Sequence, residues 1–478
     1  MPFSNCTLLH KESIHSFAQK MKEYFLNKSN CIVILALGLI TVTLPLGQGL
    51  ADQFEEAKPN NWHHWRGPDA NGVSITAKPP VQWSPTNNIQ WKFPIEGKGS
   101  STPIIWENKL FLLTSVNTGE VDPNLPRPED QPKRIFGITH PNTFYEFVVL
   151  CMDRNTGNML WSRLATRRIP HEGTHGDNDF ASASPTTDGE RLYCWFGSAG
   201  LFCFDLDGNK LWNTDLGKAH VSASLGEGSS PVVHNGKLVI VRDHKRQSTI
   251  QVLNAKTGKL LWKVNRNEGN TWATPAVVKS GGKTQVITTA SGKIRSYDLY
   301  TGKVIWKSTG LTGNAIPCPV VECDVVYCMS GYKGYSLMAI PLDARGDISG
   351  SDKILWTKKR GTPYVPSPLL YDGLLIYTQS NQALYSAVNA QNGKTYIDRQ
   401  RLKGLSNIYG SPVGGAGRIY LTDRSGTTLV LKRSRELKIL ARNQLGEQVV
   451  SSPALVGNQL FLRGRKHLHA ISQEKDLN

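Results

Sequence analysis

Residues 171–175 read His-Glu-Gly-Thr-His, the spacing H-E-x-x-H. On a helix this spacing places two imidazoles one turn apart on one face, where they hold a zinc ion while the glutamate acts as general base. The neighbouring residues argue against that use. Pro170 precedes the motif, Gly173 and Gly176 interrupt it, and Asp177-Asn178-Asp179 follow. Two glycines so close together disfavour a helix interior and predict a loop. No third zinc ligand follows at a recognised spacing. The segment therefore reads as a polar loop ahead of a strand. His171, Glu172, His175, Asp177 and Asp179 are its weak candidates for holding a divalent metal or a polar ligand.

Other chemical motifs fall away. "GKGSST" (97–102) lacks the first glycine of a phosphate-binding loop and leads into a strand. Cys151, Cys194, Cys203, Cys318, Cys323 and Cys328 include no C-x-x-C and no adjacent pair, so zinc-ribbon and haem-attachment sites have no support. In "CWFGSAGLFC" a turn at Gly197–Gly200 predicts that Cys194 and Cys203 sit opposite each other, as a strained disulfide or, the favoured alternative, as two buried thiols. "DHKRQ" (243–247) and "LKRSREL" (431–437) read as solvated edges. No aromatic interleaving suggests single-stranded nucleic acid. No catalytic residue can be named.

What must position that loop is a repeat. "CMDRNTGNMLW", "FDLDGNKLW", "LNAKTGKLLW" and "YDLYTGKVIW" end at Trp161, Trp212, Trp262 and Trp306, with weaker copies ending at Trp356 and Ile397. A polar turn closing on glycine, flanked by alternating residues, predicts a β-hairpin. A second motif, small residues then proline, opens each unit: "GSSTP" (99–103), "SASP" (182–185), "GSSP" (228–231), "WATP" (272–275), a degenerate "NAIPCP" (314–319), "PSP" (366–368), "YGSP" (409–412) and "VSSP" (450–453). It suits a crowded inner strand that proline can start without losing a ladder bond. The units recur about every 40–50 residues, the spacing of propeller blades, and eight begin. The eighth lacks its outer strand, and "NNIQWKFPI" (Asn87–Ile95) is a strand without a hairpin. Trp91 in that segment takes the repeat's tryptophan position, which predicts closure of an all-β, eight-bladed ring by an N-terminal strand. Insertions at 116–144 and 341–352 are long loops of the kind that usually bind, and loops on one face, especially 116–144 and 171–181, would carry recognition.

The repeat resembles the tryptophan-docking repeat of the pyrroloquinoline-quinone (PQQ)-like superfamily, which includes quinoprotein alcohol dehydrogenases and the assembly protein BamB. The likeness covers about Asn87 to Gln473. "WHHWRGPDANGVS" (62–74) and the block 171–212 are similar to segments of exported members of uncharacterised function. The resemblance implies that Trp91, Trp161, Trp212, Trp262, Trp306 and Trp356 pack between blades as structural residues. It also implies, for the enzymes, PQQ on a tryptophan floor beneath two adjacent disulfide-linked cysteines, with calcium held by Glu, Asn and Asp and a further Asp as base. This chain has no adjacent cysteines and no assignable calcium set.

The 478 residues carry a net charge of +17, spread along the chain, which favours anionic partners. The apolar run Cys31–Gly47, after Lys20, Lys22 and Lys28 and before Gly49-x-Ala51, predicts a secretory signal over residues 1–51, or a retained anchor. A leader follows over 52–86, then the propeller over 87–473 and a tail over 474–478. The reading is an exported, monomeric binding or assembly scaffold of the periplasm or cell exterior. Its partner would be a protein or acidic polysaccharide of the envelope, not nucleic acid, and no cofactor is assigned. A PQQ- and calcium-dependent oxidoreductase is the alternative.

Overall fold

A computed structural model describes residues 53–132 and 134–473, so the predicted signal segment and the C-terminal tail lie outside the described residues. The sequence alternates because each strand of a blade buries one face against the blade before it and the other against the blade after. The four strands of each blade are antiparallel and ordered from the axis outward, as in Val232–His234, Lys237–Arg242, Ser248–Asn254 and Leu260–Arg266 of blade 3. Eight such sheets form a ring, an eight-bladed β-propeller. Blade 8 takes its outer strand from the N-terminal side: Ile89–Pro94 pairs antiparallel with His467–Ser472, with Trp91 opposite Ala470. Blade 4 has a fifth, parallel strand, Gly346–Asp347, supplied by the later insertion.

The small-residue–proline motif has a defined use. In seven of the eight copies the residue before the proline donates its N–H to the side chain of its counterpart in the next blade. The bonds run Thr102 to Ser184, Ser184 to Ser230, Ser230 to Thr274, Thr274 to the Cys318 sulfur, Cys318 to Ser367, Ser367 to Ser411 and Ser411 to Ser452, at 2.9–3.1 Å. The innermost strand starts have no ladder partner on the axis side, and a buried N–H left unpaired is costly. A hydroxyl from the neighbouring blade, or in one place the Cys318 sulfur, meets that need and ties the blades together.

The tryptophans lie at the other end of the blade interface. The Nε1–H groups of Trp91, Trp161, Trp212, Trp262 and Trp356 donate to the carbonyls of Arg154, Leu206, Ala255, Leu299 and Ala390 in the next blade, at 2.8–3.1 Å. Each indole lies against that blade's turn glycine; a Cβ on Gly157 would sit 2.6 Å from Trp91 and one on Gly302 2.8 Å from Trp262. Trp306 differs. Blade 5 has a different hairpin, and fully buried Trp306 donates to Gln285 Oε1 (3.2 Å) while Gln285 Nε2 donates to the Leu342 carbonyl (2.7 Å).

Two expectations are corrected. Cys194 pairs with Phe202 and Cys203 with Tyr193, so the two cysteines are not opposite. Residues 197–199 form a tight 3-10 turn and Phe196 N–H bonds the Gly200 carbonyl, which shifts the register by one residue. A one-residue shift reverses the faces. Cys194 packs toward blade 1 beside Phe202, and Cys203 packs toward blade 3 beside Tyr193. Both are buried thiols. Burial pushes the Cys194 thiol well up. Asp243 and His244 are also buried rather than solvated: Asp243 pairs with fully buried Arg266 at 3.0 Å.

Candidate functional site

The axis of the ring holds a cavity of about 590 Å³. Its wall includes the serines and threonines of the inter-blade belt, with Trp272, Tyr332, Tyr364 and Tyr409 above them. Its floor is the leader. Trp62 exchanges two backbone hydrogen bonds with Ile105 of blade 1, and the His63 carbonyl accepts from Thr187 N–H of blade 2. The chain then crosses to the far side. Arg66, 1% exposed, donates to the carbonyls of Pro412 (3.1 Å) and Pro368 (2.8 Å) in blades 7 and 6. Gly72 and Ser74 bond Gly414 of blade 7. This path sets Trp65 in the cavity wall. Burial lowers the Arg66 pKa to about 10 and that of His64 to about 3, so the strap carries a neutral imidazole beside a guanidinium held by backbone carbonyls and lying over the Trp65 ring.

The cavity opens on the face where the blades begin, and the first-blade insertion overhangs it. Ile135 and Phe136 stand at its tip, 65% and 68% exposed, and both line the cavity. Phe136 meets the His175 ring edge-to-face at 5.1 Å.

The segment 171–179 crosses this mouth as a loop. It divides the five sequence candidates into three places. His175 and Asp177 face across the opening toward blades 6 and 7. Asp177 takes a hydrogen bond from Tyr409 (2.9 Å) and an ion pair from Arg424 (2.6 Å), whose guanidinium lies over the Tyr409 ring. Burial opposes the Asp177 carboxylate, but Tyr409 and Arg424 outweigh it and hold its pKa below the usual value. Burial together with that carboxylate pushes Tyr409 up to about 12. Asp179 turns inward to Ser100, Ala181 N–H and Arg465. His171 and Glu172 meet His220 on the following blade's loop: Glu172 Oε1 lies 2.8 Å from His220 Nδ1. The zinc-protease geometry is absent from this segment, since His171 and His175 belong to different groups. His220, Tyr409, Arg424 and Phe136 were not singled out from the sequence. Each is a lone residue in a loop: His220 and Phe136 reach the segment from neighbouring loops, and Tyr409 and Arg424 reach it only across the ring.

The residues do not fit calcium-bound PQQ. Asp177 is the one carboxylate among the described residues that line the cavity, and Arg424 and Tyr409 already occupy its oxygens. Asn178, the adjacent amide, is used by Leu225, Glu227 and Ser182. The belt holds Cys318, with no second cysteine beside it in sequence.

Fold and repeat together define a β-propeller of the PQQ type. Residues 146–399, just over half of the chain, match the family described as outer membrane protein assembly factor BamB, and the chain belongs to that family. The chain is similar to BamB from Moraxella catarrhalis, with a TM-score of 0.55 at 14% identity, covering 81% of this chain and 98% of that one. It is also similar to the quinohemoprotein alcohol dehydrogenase of Comamonas testosteroni, with a TM-score of 0.61 at 11% identity, covering 90% and 85%. Identities this low establish the fold alone. Tetrathionate hydrolase of Acidithiobacillus ferrooxidans is 25% identical over 302 residues, 58% of this chain and 53% of that protein. That of Acidianus ambivalens is 27% identical over 119 residues, 22% of each. The matches thus span about half or less of those curated relatives.

Proposed function

We propose that the chain is an exported scaffold that binds a segment of an envelope protein or polysaccharide at the mouth of its axial cavity. The observation that carries this reading is the pairing of a deep cavity, closed below by the leader, with two large exposed apolar side chains at its rim. Ile135 and Phe136, exposed on an insertion that overhangs the ring, are the kind of surface feature that a partner covers. The lining suits binding over chemistry: hydroxyls and aromatic rings hold a ligand, while the lining carboxylate is already neutralised and makes a poor general base. No helix among the described residues is long and apolar enough to cross a membrane. Export rests on the apolar run before residue 51. The net charge of +17 supports an anionic partner or an acidic surface.

The test is site-specific photo-cross-linking. A photoreactive phenylalanine at Phe136 should yield a discrete cross-linked species in envelope extracts, and the same group at Tyr300, on an outer turn, should not. Equal labelling at both positions, or none at Phe136, would sink the proposal. The oxidoreductase alternative is tested separately by adding PQQ and calcium and recording absorbance and melting temperature. A saturable rise of several degrees would restore it.

A further inference from the structure

We propose that His171, Glu172 and His220 form a binding site for a divalent transition metal of the zinc class at the rim of the ring. His171 and Glu172 come from the loop after blade 1 and His220 from the loop after blade 2. One ligand atom from each of the three lies within 4.8 Å of the other two. Two imidazoles and a carboxylate are the donor set that zinc accepts, leaving a fourth position open.

Two further features fit a metal site better than a bare hydrogen-bonded clasp. His171 Nε2 lies 2.7 Å from the Ala219 carbonyl. Donation there fixes the tautomer and leaves Nδ1 with its lone pair, the arrangement by which backbone carbonyls orient metal-binding histidines. Glu172 is steadied in the same way, its second oxygen accepting from Val221 N–H at 3.2 Å. The proton between His220 Nδ1 and Glu172 Oε1 is the one a cation would replace. Access is also present. His171 and Glu172 line a side cavity of about 90 Å³, room for several waters at the open position. A third loop adds His140, which lies 3.3 Å from Ser224, four residues beyond His220. The metal would therefore join the loops after blades 1 and 2 beside the insertion.

A second cluster, Glu447, His467 and His469, serves as the comparison. There both imidazoles already converge on one oxygen, Glu447 Oε1, at 3.1 and 2.5 Å, and His469 is 2% exposed, so an ion would have to displace both contacts at a carboxylate oxygen flanked by a buried imidazole.

The proposal is independent of what occupies the axial cavity. The test uses the full chain, purified without a polyhistidine tag and stripped with a chelator. Calorimetric titration with Zn²⁺ should give one equivalent, and Co²⁺ should give the intense visible bands of a four-coordinate ion. His171→Ala and His220→Ala should each weaken binding by more than about 100-fold, beyond the loss expected from an outer-shell change. Glu172→Gln, nearly isosteric, should weaken it with an unchanged circular dichroism spectrum, which covers the case of an alanine variant that fails to fold. His467→Ala should leave binding intact. Absence of saturable binding in the wild type, or binding lost in His467→Ala but kept in His220→Ala, overturns the assignment.

Discussion

Single residues carry two sharply testable consequences. Burial would raise the Glu447 carboxyl, but hydrogen bonds from His469 and Lys466 N–H, with the charge of both imidazoles, hold it at about 2. A depressed carboxyl pKa stabilises the fold above the unfolded value near 4.5, and this contribution is lost as pH falls from there toward 2. Melting temperature measured across that window should fall more steeply in the wild type than in Glu447→Gln. Parallel curves would mean the carboxylate is not held as the geometry implies. Arg66 is the second case. Its removal leaves the Pro368 and Pro412 carbonyls buried without donors, each loss costing roughly 1–3 kcal/mol. Arg66→Ala should therefore lower the melting temperature by several degrees, while Arg435→Ala, on an exposed turn, should change it little.

At the scale of the element, the blade interface depends on one glycine meeting one indole. Gly302 has φ of +70° and no room for a Cβ beneath Trp262, whereas Gly236 has φ of +69° and nothing within 4 Å. Both Gly302→Ala and Gly236→Ala incur the backbone penalty, but Gly302→Ala also overpacks, which adds about 1–3 kcal/mol. Chemical denaturation should separate the two, and equal midpoints would show that the indole has space to yield. This element was legible in the sequence because the Thr-Gly turn and the tryptophan recur at fixed spacing. The small polar side chain before each proline, a hydroxyl in all copies but Cys318, was nearly as regular, yet its use was hidden, since its partner lies in the next blade. The Cys194–Cys203 register failed for a local reason: a three-residue and a four-residue connection look alike in "FGSAGL", and one residue reverses the faces.

At the scale of the molecule, repetition made the ring readable and hid the site. The blade count and the closing strand follow from what recurs. The mouth is built from what does not recur: the insertion carrying Phe136, the loop carrying Asp177, and Arg424 nearly 250 positions later. Periodicity says nothing about such residues, so the five candidates around His171 were found without their partners. The outer strands also carry exposed leucines, including Leu160, Leu211 and Leu261, beside lysines such as Lys210 and Lys263. Those lysines guard open edges against pairing. Part of the basic charge is thus explained by solubility rather than by a ligand. Replacing Lys210, Lys259 and Lys263 with serine should raise the light scattering of concentrated samples without changing the melting temperature.

The pairing of Ile89–Pro94 with His467–Ser472 also imposes an order of events on the nascent chain. The strand made early must wait for the last one, because its partner is nearly 400 residues away. Until then the strap over 61–83 also lacks most of its anchors, which lie in blades 6 to 8. The earliest residues of the described structure are therefore among the last to be placed, and closure of so long a loop is slow. A chain ending at residue 458 should keep its middle blades but show rapid proteolysis within 53–97, a cleavage that the full chain resists. Protection of that segment in the shortened chain would show that the strap folds before the ring closes.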